Sequence, residues 1–103
     1  MYRYTTPTLP ITIDDLDFSE VSKFRIAIEQ EKHDDMLFVV DINDARVDAE
    51  HKTIYLELTQ EQSASFSEGF AKLQIRIVYL SGKVQATPKA RITINDVIDE
   101  VIV

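Results

Sequence analysis

The chain has no cysteine and no tryptophan, and its 103 residues include only two glycines and three prolines. Without cysteine there is no disulfide framework, no thiolate nucleophile and no cysteine-based zinc or iron–sulfur site. Two glycines are too few for a glycine-rich phosphate loop. No stretch approaches the ~20 apolar residues of a membrane span, and the first residues lack an apolar signal core. We therefore expect no membrane partner and no secretory targeting.

The remaining composition is that of a globular protein, with 45% hydrophobic and 28% charged residues. A chain of 103 residues fits one domain, because two separate cores would each be too small, so we expect a single domain over residues 1–103. The formal net charge is −7. Binding to phosphates needs a basic surface, so this charge argues against a nucleic-acid partner.

Alternation of apolar and polar residues with a period of two is the main pattern, and it predicts β-strands. It is clear at residues 9–13, 24–28 and 54–58, and clearest at 73–79. Pro10 places the first of these at a sheet edge, because proline cannot donate to a strand ladder. Residues 36–42 are apolar on both faces, which predicts either a strand in the middle of a sheet or part of an assembly surface.

Short polar segments predict the connections between these strands. Residues 48–52 should join a brief strand at 46–48 to the strand at 54–58 as a hairpin. Thr59 and Gln62 have the spacing of a capping box, which predicts a short helix that ends near Phe66, with Gly69 as its stop.

The last part of the chain predicts one more hairpin. A tight turn is expected at residues 81–82, followed by a long strand at 84–94 that is interrupted near Pro88. About seven strands with one short helix predict an all-β fold, specifically an antiparallel immunoglobulin-like β-sandwich.

No combination of residues in the sequence suggests catalysis. His33 and His51 both fall in predicted turns, and neither has a second histidine or cysteine at a metal-binding spacing. None of the serines lies in a G-x-S-x-G nucleophile elbow. We therefore expect that the protein is not an enzyme, and we assign no catalytic, cofactor-binding or metal-binding residues.

Two acidic clusters invite comparison with calcium sites: residues 14, 15 and 17, and residues 41, 43, 44 and 48. The second cluster opens like an EF-hand loop, but Ala45, Arg46 and Lys52 occupy its fifth, sixth and twelfth places, where the loop needs oxygen ligands and a glycine. Solvated loop acids are the favoured interpretation. Calcium held between strands stays open as an alternative.

The candidate interface consists of one tyrosine and the end of the chain. Tyr55 has the opposite parity to Ile54 and Leu56, so it should point outward and could anchor a partner, although tyrosine is also simply favourable in a strand. Five aliphatic residues fall within the last seven positions: Val97, Ile98, Val101, Ile102 and Val103. Such a segment should be buried, either in the chain's own core or against a partner in a homo-oligomer.

Three stretches carry a resemblance to a known group of proteins: Thr5-Thr6-Pro7-Thr8, residues 54–61 with Phe66 after them, and residues 72–77 with the turn at 81–82. Together they resemble small prophage-encoded proteins of Gram-positive bacteria, which are similar to β-sandwich accessory domains of phage tails and baseplates. The group often has Gly or Cys before its acidic end, whereas this chain has Ile92-Thr93-Ile94. The resemblance carries over no catalytic residues.

The resemblance implies a non-enzymatic structural or assembly module of a phage tail or baseplate that works through contacts with itself or with other phage proteins. Its location would be the host cytoplasm during assembly, and then the virion. One alternative is a small acidic phage protein that binds and inhibits a host protein, which the charge of −7 would suit. A weaker alternative is a sandwich that binds carbohydrate or calcium.

Overall fold

The computed structural model of the protein describes residues 1–30, 36–41 and 45–103. Its elements are almost all strands, and they are connected by short turns. In chain order they are β1 (Thr8–Thr12), a 3-10 helix (Phe18–Glu20), β2 (Val21–Gln30), β3 (Met36–Asp41), β4 (Ala45–Asp48), β5 (Thr53–Glu57), helix α1 (Gln60–Ala64), β6 (Gly69–Tyr79), β7 (Val84–Ala86) and β8 (Ala90–Ile94).

These strands form two antiparallel sheets, so the predicted all-β sandwich is confirmed, with eight strands in the described residues where about seven were expected. The three-stranded sheet has the order β1-β5-β4. The five-stranded sheet has the order β3-β2-β6, and both β7 and β8 pair with β6. In immunoglobulin constant domains the second strand lies with the first and fifth strands. Here β2 lies with β3 and β6 instead.

The core lies between the two sheets and follows the alternation in the sequence. In β2 and β6 every second side chain is buried, and from the facing sheet Ile54 and Leu56 are completely buried. Each buried aliphatic side chain contributes about 1.5–3 kcal/mol, so this shared layer stabilises the pairing of the sheets. The largest completely buried side chains are Phe24, Phe66, Ile26, Ile28, Ile54, Leu56, Ile75 and Ile94.

The prediction that residues 36–42 lie in the middle of a sheet is wrong, because β3 is an edge strand with β2 as its neighbour. Its two apolar faces have different environments. Val40 is buried and Phe38 packs against the core, whereas Leu37 on the other face is 61% exposed. Apolarity on both faces therefore reflects an exposed apolar edge here, and residue 42 lies outside the described residues.

Helix α1 begins as predicted and ends earlier. The Thr59 hydroxyl accepts from the Gln62 N–H at 3.1 Å, and the Gln62 side chain accepts from the Thr59 N–H at 2.9 Å, which confirms the capping box. The helix ends at Ala64, and Phe66 then turns inward to pack edge-on against Phe38. Gly69 does not stop the helix. It begins β6, at a φ of +134° that few other residues adopt.

The last predicted strand is confirmed, with its interruption at the expected place. Strands β7 and β8 follow one another along β6 and are separated by residues 87–89. Thr87 replaces the ladder there, since its N–H donates to the Ile75 carbonyl at 2.9 Å and its hydroxyl accepts from the Ile75 N–H at 3.0 Å. The hairpins at residues 48–52 and 81–82 are also confirmed.

Candidate interaction surfaces

Tyr55 lies on the outward face of the three-stranded sheet, as its parity predicts. Its cross-strand neighbours are Pro10 on β1 and Arg46 on β4. The Arg46 guanidinium lies over the ring, 4.6 Å from its centroid, and the tyrosine is half-buried. Part of the ring is therefore already covered by the chain itself, which leaves less of it for a partner than the sequence suggested.

The C-terminal segment, residues 95–103, crosses one end of the sandwich and belongs to neither sheet. It begins beside the first residues of the chain, where the Asn95 N–H donates to the Met1 carbonyl at 2.7 Å and the Arg3 N–H donates to the Asn95 carbonyl at 2.9 Å. Beyond this bridge the segment has no strand or helix, and it supplies none of the buried core residues. It thus does not complete a sheet.

A single arginine fastens the middle of the C-terminal segment. The Arg3 guanidinium donates to Asp96 at 2.6 Å and to Glu100 at 3.3 Å. It also donates to the main-chain carbonyls of Ala64, at 3.0 Å, and Phe66, and its side chain is only 15% exposed. The hydrogen bond from Arg3 lowers the pKa of Asp96 below its ordinary value, which favours the carboxylate in this contact.

The end of the C-terminal segment is held by helix α1. The side-chain amide of Gln60 donates to the main-chain oxygen of Val103 at 2.7 Å and accepts from the Val103 N–H at 2.9 Å. This pair of bonds imitates the pairing of a neighbouring strand. The backbone of the segment is consequently fixed at both ends and in the middle.

The aliphatic side chains of this fixed segment point into solvent. Ile98 and Val103 are almost fully exposed, at 106% and 92%, and Val101 and Ile102 are also exposed, whereas Val97 is half-buried. Four large apolar side chains are thus exposed on one segment whose backbone is held in place. The structure therefore exposes four of the five predicted residues of the C-terminal segment, and it places Tyr55 on the outward face of the three-stranded sheet.

A second surface, which sequence reasoning missed, is the solvent side of the five-stranded sheet. Among the described residues, six lysines and arginines occupy it, and we call them the cationic face: Lys23, Arg25, Lys72, Arg76, Lys89 and Arg91. The strand positions of the same side carry two acids, Glu29 and Asp41. The other described residues carry four basic and twelve acidic side chains, so a face of net +4 stands against a remainder of net −8.

The cationic face also carries apolar side chains. Leu37 and Phe70 are 61% and 57% exposed, and Val39, on the same side of the edge strand β3, is half-buried. The Arg91 guanidinium covers the Phe70 ring at 4.2 Å from its centroid, and Arg25 pairs with Asp41 at 3.1 Å. The signal was present in the sequence, since these cations sit at the positions that alternate with the core residues of β2, β6 and β8.

The predicted acidic clusters are used locally. Asp17 caps the 3-10 helix, and hydrogen bonds from the Ser19 hydroxyl and N–H lower its pKa. Asp48 holds the turn before β5, where its carboxylate lies 2.8 Å from Nδ1 of His51 and has a lowered pKa because of that hydrogen bond. Within the described ranges no three acidic or histidine side chains are placed to hold a metal ion. His33, Asn43 and Asp44 fall outside those ranges.

No helix in the described part of the chain is long and apolar enough to cross a membrane. Comparison with known proteins finds no match to this chain among family models, curated proteins or solved structures.

Proposed function

We propose that this protein is a non-enzymatic structural or assembly module that works through protein–protein contacts, as an accessory component of a phage tail or baseplate. One observation carries the proposal: an ordered C-terminal segment displays four exposed aliphatic side chains. Holding such a segment in place costs conformational entropy and leaves apolar area in water. Both costs are offset when the segment is buried against a partner.

The way in which the segment is held supports this proposal. Arg3 and Gln60 bind mainly its backbone and its carboxylates, and their contacts leave Ile98 and Val103 facing outward. Because these polar contacts fix the backbone and leave the exposed aliphatic side chains free, the segment offers its apolar side chains in one defined arrangement. Such a preorganised surface loses less entropy on binding than a flexible tail would.

The phage setting rests on the resemblance of residues 5–8, 54–61 and 72–77 to prophage-encoded proteins. A thin sandwich with an apolar patch at one end suits a component that is repeated within a particle, since repeated contacts build affinity from modest interfaces. The chain would assemble in the host cytoplasm and then remain in the virion.

The experiment is to express the tagged protein during phage production and to measure it in purified particles by quantitative mass spectrometry. The variant Ile98→Ser/Val103→Ser removes two exposed aliphatic groups that make no side-chain contact in the core. Leu80→Ser is the matched control, because Leu80 is also exposed but follows the far end of β6.

We expect the native chain and the Leu80→Ser variant to be present in particles at a fixed stoichiometry. The Ile98→Ser/Val103→Ser variant should be depleted from them. A native chain that is always absent from particles contradicts the proposal. If it is absent and is recovered instead in a stoichiometric complex with one host enzyme, the inhibitor alternative is favoured. The host enzyme would then bind the surface outside the cationic face, where acidic side chains outnumber basic ones.

A further inference from the structure

On the cationic face, like charges lie opposite each other in the strand pairing, and Asp41 offsets part of this charge by pairing with Arg25. Arg25 lies directly opposite Arg76 in the pairing of β2 with β6, and Lys72 lies directly opposite Arg91 in the pairing of β6 with β8. Like charges in direct cross-strand positions destabilise a sheet. A surface with two such pairs beside exposed Leu37 and Phe70 is suited to a partner that is both anionic and apolar.

The chain itself carries a segment of that chemistry. The C-terminal segment combines its exposed aliphatic side chains with three acids: Asp99, which is exposed, and Asp96 and Glu100, which bind Arg3. Arg3 and Gln60 hold it across the end of the sandwich beside helix α1, and it borders the cationic face of its own molecule near Phe70, where Asn95 and Asp96 line the same groove. The exposed part of the segment is therefore placed to meet the cationic face of a second molecule.

From this complementarity we propose that the C-terminal segment of one copy docks on the cationic face of the next copy, in a head-to-tail contact. Two different patches meet in such a contact, so one face and one segment stay unused at the two ends of any open chain of copies. This inference rests on the proposed role as an assembly module and specifies its partner as a second copy. A nucleic acid is the less suited occupant, because it offers no aliphatic groups for Leu37, and the net charge of −7 opposes its approach.

The test uses two variants, each of which disables one side of the contact. Arg76→Glu reverses one charge of the face, and because it places an opposite charge across from Arg25 it does not weaken the sheet. Ile98→Ser/Asp99→Asn disables the segment at exposed positions outside the core and adds no positive charge that could pair with the altered face of the Arg76→Glu variant. Lys83→Glu and Glu50→Lys are the matched controls, since both are exposed charge reversals in turns away from either surface.

Sedimentation velocity over a series of concentrations gives the assembly state of each protein. We expect the native chain and both controls to self-associate, and each single-sided variant to associate at least about tenfold more weakly. A mixture of the two single-sided variants should form one-to-one dimers and grow no further, because the intact segment of Arg76→Glu meets the intact face of its partner.

Three results would overturn the inference. They are a native chain that stays monomeric at high concentration, an Arg76→Glu variant that associates like the native chain, and a mixture of variants that forms no dimer. A monomeric chain that binds a short oligonucleotide would assign the face to nucleic acid instead. Particle content separates this outcome from the proposed function, since a chain found in virions but monomeric alone contradicts only the head-to-tail contact.

Discussion

Replacing Arg3 with methionine is the most informative single change to the C-terminal segment. Methionine keeps much of the length and apolar volume of the side chain and removes every donor. In the native chain those donors reach the carbonyls of Ala64 and Phe66 and the carboxylates of Asp96 and Glu100. The substitution thus detaches the segment from the end of helix α1 and leaves the core residues in place.

The contacts suggest the size of the effect. A hydrogen bond from a charged donor to a carbonyl contributes about 1.5–3 kcal/mol, whereas the pairs with Asp96 and Glu100 add little because water screens their partly exposed carboxylates. All four contacts share one guanidinium, so they do not add fully. We expect Arg3→Met to lower the free energy of unfolding by about 2–4 kcal/mol.

Urea unfolding measures the loss of stability, and amide hydrogen exchange locates it. Exchange should accelerate at residues 96–103, including the Val103 N–H, which donates to the Gln60 side chain in the native chain. Strands β2 and β6 should keep their relative protection. The control is Arg46→Met. The Arg46 guanidinium lies over the ring of Tyr55 on the outward face of the three-stranded sheet, so its loss should lower the free energy of unfolding by only about 0.5–1 kcal/mol. The reasoning is refuted if Arg3→Met is no less stable than Arg46→Met and the exchange of the segment is unchanged.

Two further substitutions and one pH profile provide additional tests of the structure. Gln30→Ala should lower the free energy of unfolding by about 2–4 kcal/mol, because the buried Gln30 amide donates to the Ser67 carbonyl and accepts from the Ser67 N–H, both at 2.7 Å. Urea unfolding measures this, and a stability loss no larger than that of the exposed control Gln85→Ala would contradict it. Gly69→Ala should cost about 1–3 kcal/mol from its φ of +134° alone, since nothing lies within 4 Å of the added methyl group, and an unchanged thermal midpoint would argue against that backbone geometry. Because the pKa of Asp96 is lowered on folding, its stabilising contribution is complete above the ordinary carboxyl pKa and is lost as the pH falls through the lowered value. Acid should therefore destabilise the native chain more steeply than Arg3→Met below about pH 4, and parallel pH profiles for the two proteins would count against this role of Arg3.

Local structure could be predicted from the amino-acid sequence, because the interactions that specify it lie between residues close together in the chain. The alternation in β2 and β6 identified strands and their buried sides, and the spacing of Thr59 and Gln62 identified the start of the helix. Pro10 was correctly placed on an edge strand for the same reason, since its missing donor restricts it wherever it lies. The all-β class followed from these elements together.

The tertiary structure alone decided how those elements are combined. Apolar residues on both sides of β3 are equally compatible with a central strand and with an exposed apolar edge, and only the pairing order of the sheet distinguishes them. Likewise, the sequence was compatible with either burial or exposure of the five aliphatic residues between positions 97 and 103. Arg3 settles their position, through contacts with residues more than 60 positions away in the chain. The cationic face needs the register of β2, β6 and β8, which brings distant charges side by side, and no local pattern encodes that register.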